Sequence, residues 1–280
     1  MPIYQALVLG ITQGLTEFAP VSSSGHLILV PWLFHWTILN DPHLNKTFDV
    51  ALHMGTFFGA LIYFWNDVVT YIRALFRSIG HRSVTTIEER LAWFIVIGTI
   101  PGALTGAAFE SVIEDKLGQP WLIAVMLAAF GLLLFLVDKM VSRERGLADL
   151  TLADTVFIGV AQAIALQPGV SRSGVTITAG RGRGLDREAA TRFSFLLSLP
   201  IIGGAGLLKT LQTAKDGLPH GFAAPFFWGF VASGISGFLV IWAILGYVRR
   251  HDFTPFVIYR FAAAITVAIV ILSGVRSGTL

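Results

Sequence analysis

The sequence predicts an all-α integral membrane protein, with six transmembrane helices plus two re-entrant helical hairpins in an inverted-topology repeat. Three observations lead there. Hydrophobic residues make up 54% of the 280 and charged residues only 13%, where a soluble domain carries about 25% charged residues. Several apolar stretches reach the roughly 20 residues needed to cross the hydrocarbon, while others stop short of it. Two Gly/Ser-rich segments repeat at an offset of 149 residues: Gly10, Gln13, Val21, Ser22, Ser24 and Gly25 fall on Gly159, Gln162, Val170, Ser171, Ser173 and Gly174.

The elements follow in chain order. Residues 3–15 and 27–36 are apolar but too short to cross, and they frame a turn at 20–26, the first re-entrant hairpin. Residues 47–65 form a span that contains Asp49 and His53, followed by a basic loop at 66–90. Charge-free spans occupy 91–109 and 117–137. After the loop at 138–150, the short runs 152–166 and 175–179 frame the second hairpin. Beyond the loop at 181–192, residues 193–208 and 218–248 are charge-free spans, and 256–272 is a last span carrying Arg260. Residues 1–280 thus form one membrane domain, with repeat one at about 1–110, repeat two at about 150–250 and the last span at 255–275. A second echo supports the repeat: Phe48, Leu52, Gly59 and Ala60 match Phe193, Leu197, Gly204 and Ala205 at an offset of 145.

Loop charge sets the orientation. With both hairpins dipping and returning, the loops 66–90, 138–150, 181–192 and 249–251 share one side and hold 13 Lys and Arg. The other side holds only Lys46, Lys116, Lys209, Lys215 and Arg276. The basic side is then cytoplasmic. The hairpins enter from opposite faces, so their tips meet near the midplane, where irregular backbone is allowed beside a protected cavity. The first Lys or Arg is Lys46, so no secretory signal is expected. With no Cys, disulfides and thiolate zinc sites are excluded. The net charge of +3 reflects orientation rather than nucleic acid, since the basic residues sit in loops. Arg181, Arg183, Arg187 and Arg192 read as a loop holding anionic membrane lipid headgroups. Gly229, Gly234 and Gly237 permit close helix packing, within one chain or in a homodimer.

The copies differ where chemistry would sit. Glu17 lies four residues after Gln13, on one helical face, and a carboxylate at membrane depth marks a site unless it caps an interfacial helix end. Ser22, Ser23, Ser24, Gly25 and His26 form a turn whose backbone N–H groups favour an anion. For Ser22 and Ser24, plain N-capping is as good a reading. His26 supplies an imidazole for acid–base work. The second tip, Ser171, Arg172, Ser173, Gly174 and Thr176, offers a fixed cation whose planar fork suits phosphate oxygens. Arg260 either completes that anion site or pairs with an internal carboxylate. Asp49 and His53, near the outer surface, read as solvated or structural. His35, His43 and His81 have nothing that singles them out. Metalloprotease, P-loop, Rossmann and hydrolase-elbow motifs are absent.

The stretches QGLTEFAPVSSSGHL (13–27), PGVSRSGVT (168–176), FSFLLSLP (193–200) and FTPFVIYRF (253–261) closely resemble the undecaprenyl-diphosphate phosphatases, also called bacitracin resistance proteins, in order along nearly the whole chain. That resemblance implies a bacterial inner-membrane hydrolase with its active site toward the periplasm. It would convert undecaprenyl diphosphate to undecaprenyl phosphate and inorganic phosphate with a divalent cation, Mg2+ or Ca2+. Gln13 and Glu17 fall on the family's glutamate-rich motif in the form with Gln first, which makes Glu17 the principal acidic metal ligand and Gln13 a neutral one. Ser23, His26 and Arg172 fall on its serine, histidine and arginine. Gln167 stands where many relatives have an apolar residue and has no role assigned.

The chemistry expected from these residues is phosphoryl transfer, with Ser23 attacking the terminal phosphorus and His26 or Glu17 taking its proton. The competing mechanism has a metal-activated water attack directly. An inverted-repeat transporter or flippase for a lipid phosphate or other anion is the alternative function, and a lipid-binding scaffold a third. A carrier needs an anion hole but no paired base and nucleophile, so the cluster of Glu, Ser and His favours catalysis.

Overall fold

The computed structural model describes residues 1–36, 42–141, 145–216 and 221–280, with the side chains of 42–43, 110–116 and 212–216 also left undescribed. His43, Arg143, Lys116 and Lys215 therefore lie outside the described side chains. Eleven α-helices make up the described chain. They are α1 (Ile3–Phe18), α2 (Ser23–Phe34), α3 (Pro42–Tyr63), α4 (Trp65–His81), α5 (Ile87–Lys116) and α6 (Pro120–Met140). A 3-10 turn at Leu147–Asp149 leads to α7 (Leu152–Ile164), α8 (Arg172–Gly182), α9 (Arg187–Asp216), α10 (Ala223–Val248) and α11 (Thr254–Leu272). Among the described residues there is no strand longer than a single bridge.

Five helices, α5, α6, α9, α10 and α11, are long and apolar enough to cross a membrane. A sixth passes the same test only when α3 and α4 are taken together, and these are bent by 81° at Phe64. The outward faces carry Leu104, Leu207, Trp242, Ile258 and Leu272, all exposed, as lipid contact requires and water would penalise. The hairpins are α1 with α2 and α7 with α8, and α2 and α7 are too short to span.

The basic loop expected at 66–90 is a helix over most of its length. Ile72, Phe76 and Ile79 recur at helical spacing and are exposed, whereas Ala74 and Ser78 are buried against α5. Mixed polar and apolar residues hide such an interfacial helix from a search for spans. Trp93 donates to the Ser78 hydroxyl at 3.0 Å and Arg77 pairs with Glu89 at 2.7 Å, which pins α4 to α5.

Helix contacts are reciprocal between the halves. α1 packs on α10 and α7 on α5, while α3 meets α9 between them and α6 pairs with α11. Repeat-related glycines sit at both crossings: a Cβ on Gly10 would lie 2.5 Å from the Gly229 carbonyl oxygen, and one on Gly159 would lie 2.6 Å from that of Gly98. Small residues let backbones approach where no hydrophobic effect drives association. The glycines of α10 at 229, 234 and 237 pack on α1 and α3 of the same chain. The main apolar cluster joins Phe18, Phe64, Phe193, Phe195, Leu134 and Phe253 below the hairpin tips.

Candidate active site

Both hairpin turns are built the same way. α1 ends at Phe18, the chain extends through Ala19, and Ser22 enters α2 at φ 78° with its side chain accepting from Gly25 N–H. At the repeat-related position, Ser171 enters α8 at φ 75° and accepts from Gly174 N–H. Positive φ is costly for a residue with a Cβ, on the order of 1–3 kcal/mol, and such strain concentrates at functional sites. The tips are tied directly: Gly169 N–H donates to the Ser22 hydroxyl at 2.9 Å, and the Ser173 hydroxyl donates to the Ala19 carbonyl at 3.0 Å.

Arg260 lies beneath both tips with no exposure. Its Nε donates to the Leu127 carbonyl at 2.9 Å, its Nη1 to Pro20 at 3.0 Å and Val170 at 3.2 Å, and its Nη2 to Gly169 at 2.8 Å, Val170 at 3.1 Å and Met126 at 3.3 Å. This corrects the expectation for Arg260. It neither reaches the cavity nor pairs with a carboxylate among the described residues, because a guanidinium has five N–H groups and here both hairpins supply carbonyls for them.

Above the tips lies a cavity of about 380 Å³, lined by Glu17, Ser23, Ser24, Asp49, His53, Gln162, Ser171 and Arg172 among others. Glu17 is its centre and is almost wholly buried. Its Oε2 accepts from the Ser23 hydroxyl at 2.5 Å and from Gln13 Nε2 at 3.1 Å, with His53 Nε2 at 3.6 Å. Its Oε1 pairs with Arg172 Nη2 at 3.1 Å. Arg172 also donates to the Ser194 carbonyl at 3.2 Å, and Ser194 is bonded to Thr176 at 2.7 Å. One carboxylate therefore joins the hydroxyl of one tip to the cation of the other.

The expected residues divide into two groups. Glu17, Ser23, Ser24, Ser171 and Arg172 reach the cavity, with Gln13 directly behind Glu17. Ser22, Gly25, Ser173, Gly174 and Thr176 are taken up in caps and ties between the turns. His26 faces away from Ser23: its Nδ1 bonds the Ser22 carbonyl at 2.7 Å and its Nε2 the Tyr259 hydroxyl at 2.8 Å. Both ring nitrogens are thus engaged by the scaffold, and the only side chain on the Ser23 hydroxyl among the described residues is Glu17. Gln167 braces the second turn through the Leu117 and Pro168 carbonyls.

Sequence reasoning set aside Asp49 and His53, yet both line the cavity. The signal was an acid and an imidazole at i,i+4 inside an apolar span. The bend at Phe64 and the α3–α9 contact turn that face inward, and no periodicity shows it. Gln162 was the partner of Gln13 in the repeat and was given no role.

A divalent cation can be tested against this donor set. Gln13 is wholly buried, and its amide oxygen meets no donor. It is the amide nitrogen of Gln13 that meets the Glu17 carboxylate, so the two residues carry oxygen donors of the kind Mg2+ and Ca2+ prefer without presenting them side by side. Among the described residues no cluster of three or more His, Cys, Asp or Glu is arranged to hold an ion alone. The residues fit an ion whose shell is completed by phosphate oxygens, the usual arrangement for Mg2+.

Residues 6–266 match the family described as bacitracin resistance protein BacA. An undecaprenyl-diphosphatase of Desulforudis audaxviator (strain MP104C) is 45% identical over 96% of this chain and 98% of its own length. Another of Pelotomaculum thermopropionicum is 44% identical over 99% and 98%, and one of Geobacter sulfurreducens is 46% identical over 94% and 96%.

Proposed function

Since this chain belongs to the bacitracin resistance protein BacA family, we propose that it is a membrane phosphatase that hydrolyses undecaprenyl diphosphate to undecaprenyl phosphate and inorganic phosphate. In a cell it would recycle the lipid carrier of peptidoglycan synthesis and so confer bacitracin resistance. The observation that carries the reading is the contact of Ser23 with Glu17 at 2.5 Å, with Arg172 on the other carboxylate oxygen.

The steps follow from that geometry. Ser23 Oγ attacks the terminal phosphorus while Glu17 Oε2 takes its proton. The new Oγ–P bond forms as the bond from phosphorus to the bridging oxygen breaks, and undecaprenyl phosphate leaves. The proton on Glu17 passes to solvent as the lipid phosphate leaves. Water then attacks the phosphoserine and gives a proton to Glu17 as the Oγ–P bond breaks, and Glu17 returns that proton to Ser23 Oγ while inorganic phosphate departs. Arg172 and the free N–H groups at the starts of α2 and α8 hold the equatorial oxygens, where most of the catalysis of phosphoryl transfer lies. Glu17 and Gln13 would hold the divalent cation, which when bound neutralises phosphate charge. The cavity also contains Lys46 and Lys209, from the side that loop charge assigns to the periplasm, so the lipid head would be met from outside.

The test uses purified protein and C55 diphosphate labelled in its terminal phosphate. Wild type should release phosphate and, on rapid acid quench, carry label at Ser23. Ser23→Ala should lose at least about a thousandfold in turnover. Near wild-type turnover by that variant would remove Ser23 as nucleophile and leave attack by water.

A further inference from the structure

Three of the helices that wall the cavity around Glu17 also wall a second space. On α3 the cavity takes Asp49 and His53, and the next turns of the same helix bring Phe57 and Leu61 to an apolar groove of about 380 Å³. On α9, Ile201 and Ala205 face the cavity while Leu199 and Pro200 face the groove. On α5 the division falls between Gly102 and Val96. The interfacial helix α4 closes the fourth side with Tyr71.

Pro200 and Ile201 are chain neighbours that line different spaces, so the boundary between the two is thin. The Phe57 ring stands in it, seated on Gly203 of α9, where a Cβ would lie 2.8 Å from the ring. Met54 is seated on Gly206 in the same way. The boundary is therefore made of rotatable side chains of α3 laid over bare backbone of α9. Among the described residues no charged side chain lines the groove, and the Tyr71 hydroxyl is its one polar side-chain group. A phospholipid lodged there would find no counter-charge for its headgroup. A lipid whose charged head is held by Arg172 on the far side of Phe57 needs none. Lipid tails are as apolar as leucine, so the lining alone draws no chain out of the bilayer. A tether does, because entry of the chain becomes an intramolecular step once the head is bound.

We propose that the groove between α3, α4, α5 and α9 is a subsite for the prenyl chain of the substrate, entered past Phe57 from the cavity that holds the diphosphate. The identity of the lipid rests on the phosphatase reading above. Contacts made there, remote from the reacting phosphorus, favour a long-chain diphosphate over a short one.

Purified full-length protein is assayed with C55 diphosphate and with a C5 prenyl diphosphate, whose chain is a single isoprene unit. Val96→Trp places a ring in the groove and should reduce the preference in kcat/KM for C55 over C5 by about tenfold or more. Leu104→Trp, on the same helix but facing lipid at 66% exposure, should keep the wild-type preference. An equal fall for both substrates in Val96→Trp would mean damage to the fold, and an unchanged preference would mean a chain lying free in the bilayer; either overturns the proposal. A second measurement needs neither turnover nor a variant. A prenyl methylene diphosphonate with a diazirine on its second isoprene unit should label the groove walls at 57–75, 92–96 or 196–200, and C55 diphosphate should displace it. Label found only elsewhere, or displaced by dioleoyl phosphatidylglycerol and not by C55 diphosphate, overturns the proposal. Protein labelled in the groove that releases no phosphate would end the phosphatase reading and keep the subsite, whereas phosphate release with label elsewhere would do the reverse.

Discussion

Replacing Arg260 by Met should uncouple the two hairpins. The guanidinium donates to five carbonyls. Those of Met126 and Leu127 lie inside α6 and keep a helical partner. Those of Pro20, Gly169 and Val170 lie in the turns and have no other donor among the described residues. Three buried carbonyls left unpaired cost about 1–3 kcal/mol each. Against this, a cation no longer has to be buried, and Met fills much of the same volume. The net loss is then about 3–5 kcal/mol, the range for breaking a buried charged network. At roughly 2–4 °C per kcal/mol for a chain of this size, Tm in detergent should fall by about 6–20 °C. Turnover should fall with it, because Arg172 and Glu17 are carried on the turns that Arg260 joins. Arg260→Lys, with three donors for five acceptors, should fall between. A Met variant with an unchanged Tm and full phosphate release would refute the reasoning.

Other consequences are open to direct measurement. Glu17→Gln should lose about 10²–10⁴ in kcat while His26→Gln keeps more than about a tenth, and the reverse order would make His26 the base. Gly14→Ala should cost about 1–3 kcal/mol, because its Cβ would lie 2.6 Å from the Gly237 backbone nitrogen. Gly80→Ala, with nothing within 4 Å, should be neutral or slightly stabilising, and equal melting of the two would count against tight α1–α10 packing. At the start of α7, burial alone would raise the Asp154 pKa, but hydrogen bonds from Arg145, Arg183 and Thr151 prevail and hold it below the ordinary 3.8. A depressed carboxyl stabilises above its unfolded pKa and ceases to as pH falls below it. Melting temperature should therefore drop below about pH 4 in wild type and less steeply in Asp154→Asn; parallel curves would remove the linkage.

The sequence exposed the parts of this molecule that local chemistry dictates. Span lengths, the paired Gly/Ser turns and the meeting of Glu17, Ser23 and Arg172 all follow from composition, repeat offset and orientation. Tertiary placement was harder to read. Arg260 and Arg172 are both cations at membrane depth, and only the fold shows that one faces carbonyls and the other a carboxylate. The sequence joins His26 to Glu17 and leaves His53 as solvated or structural, yet α2 turns the first toward Tyr259 and α3 turns the second toward the cavity. The helix at 65–81 was invisible because its apolar face is narrow and its charges resemble those of a loop.

The bonds from Arg260 also bear on how the molecule moves. An alternating-access carrier opens to each side in turn by rocking one repeat against the other about a fixed site. Here one side chain on α11 clamps the tips of both repeats to each other and to α6, so rocking would break a set of buried bonds at once with no solvent to replace them. The pseudo-symmetry that elsewhere serves as a hinge is here tied at its centre by one side chain.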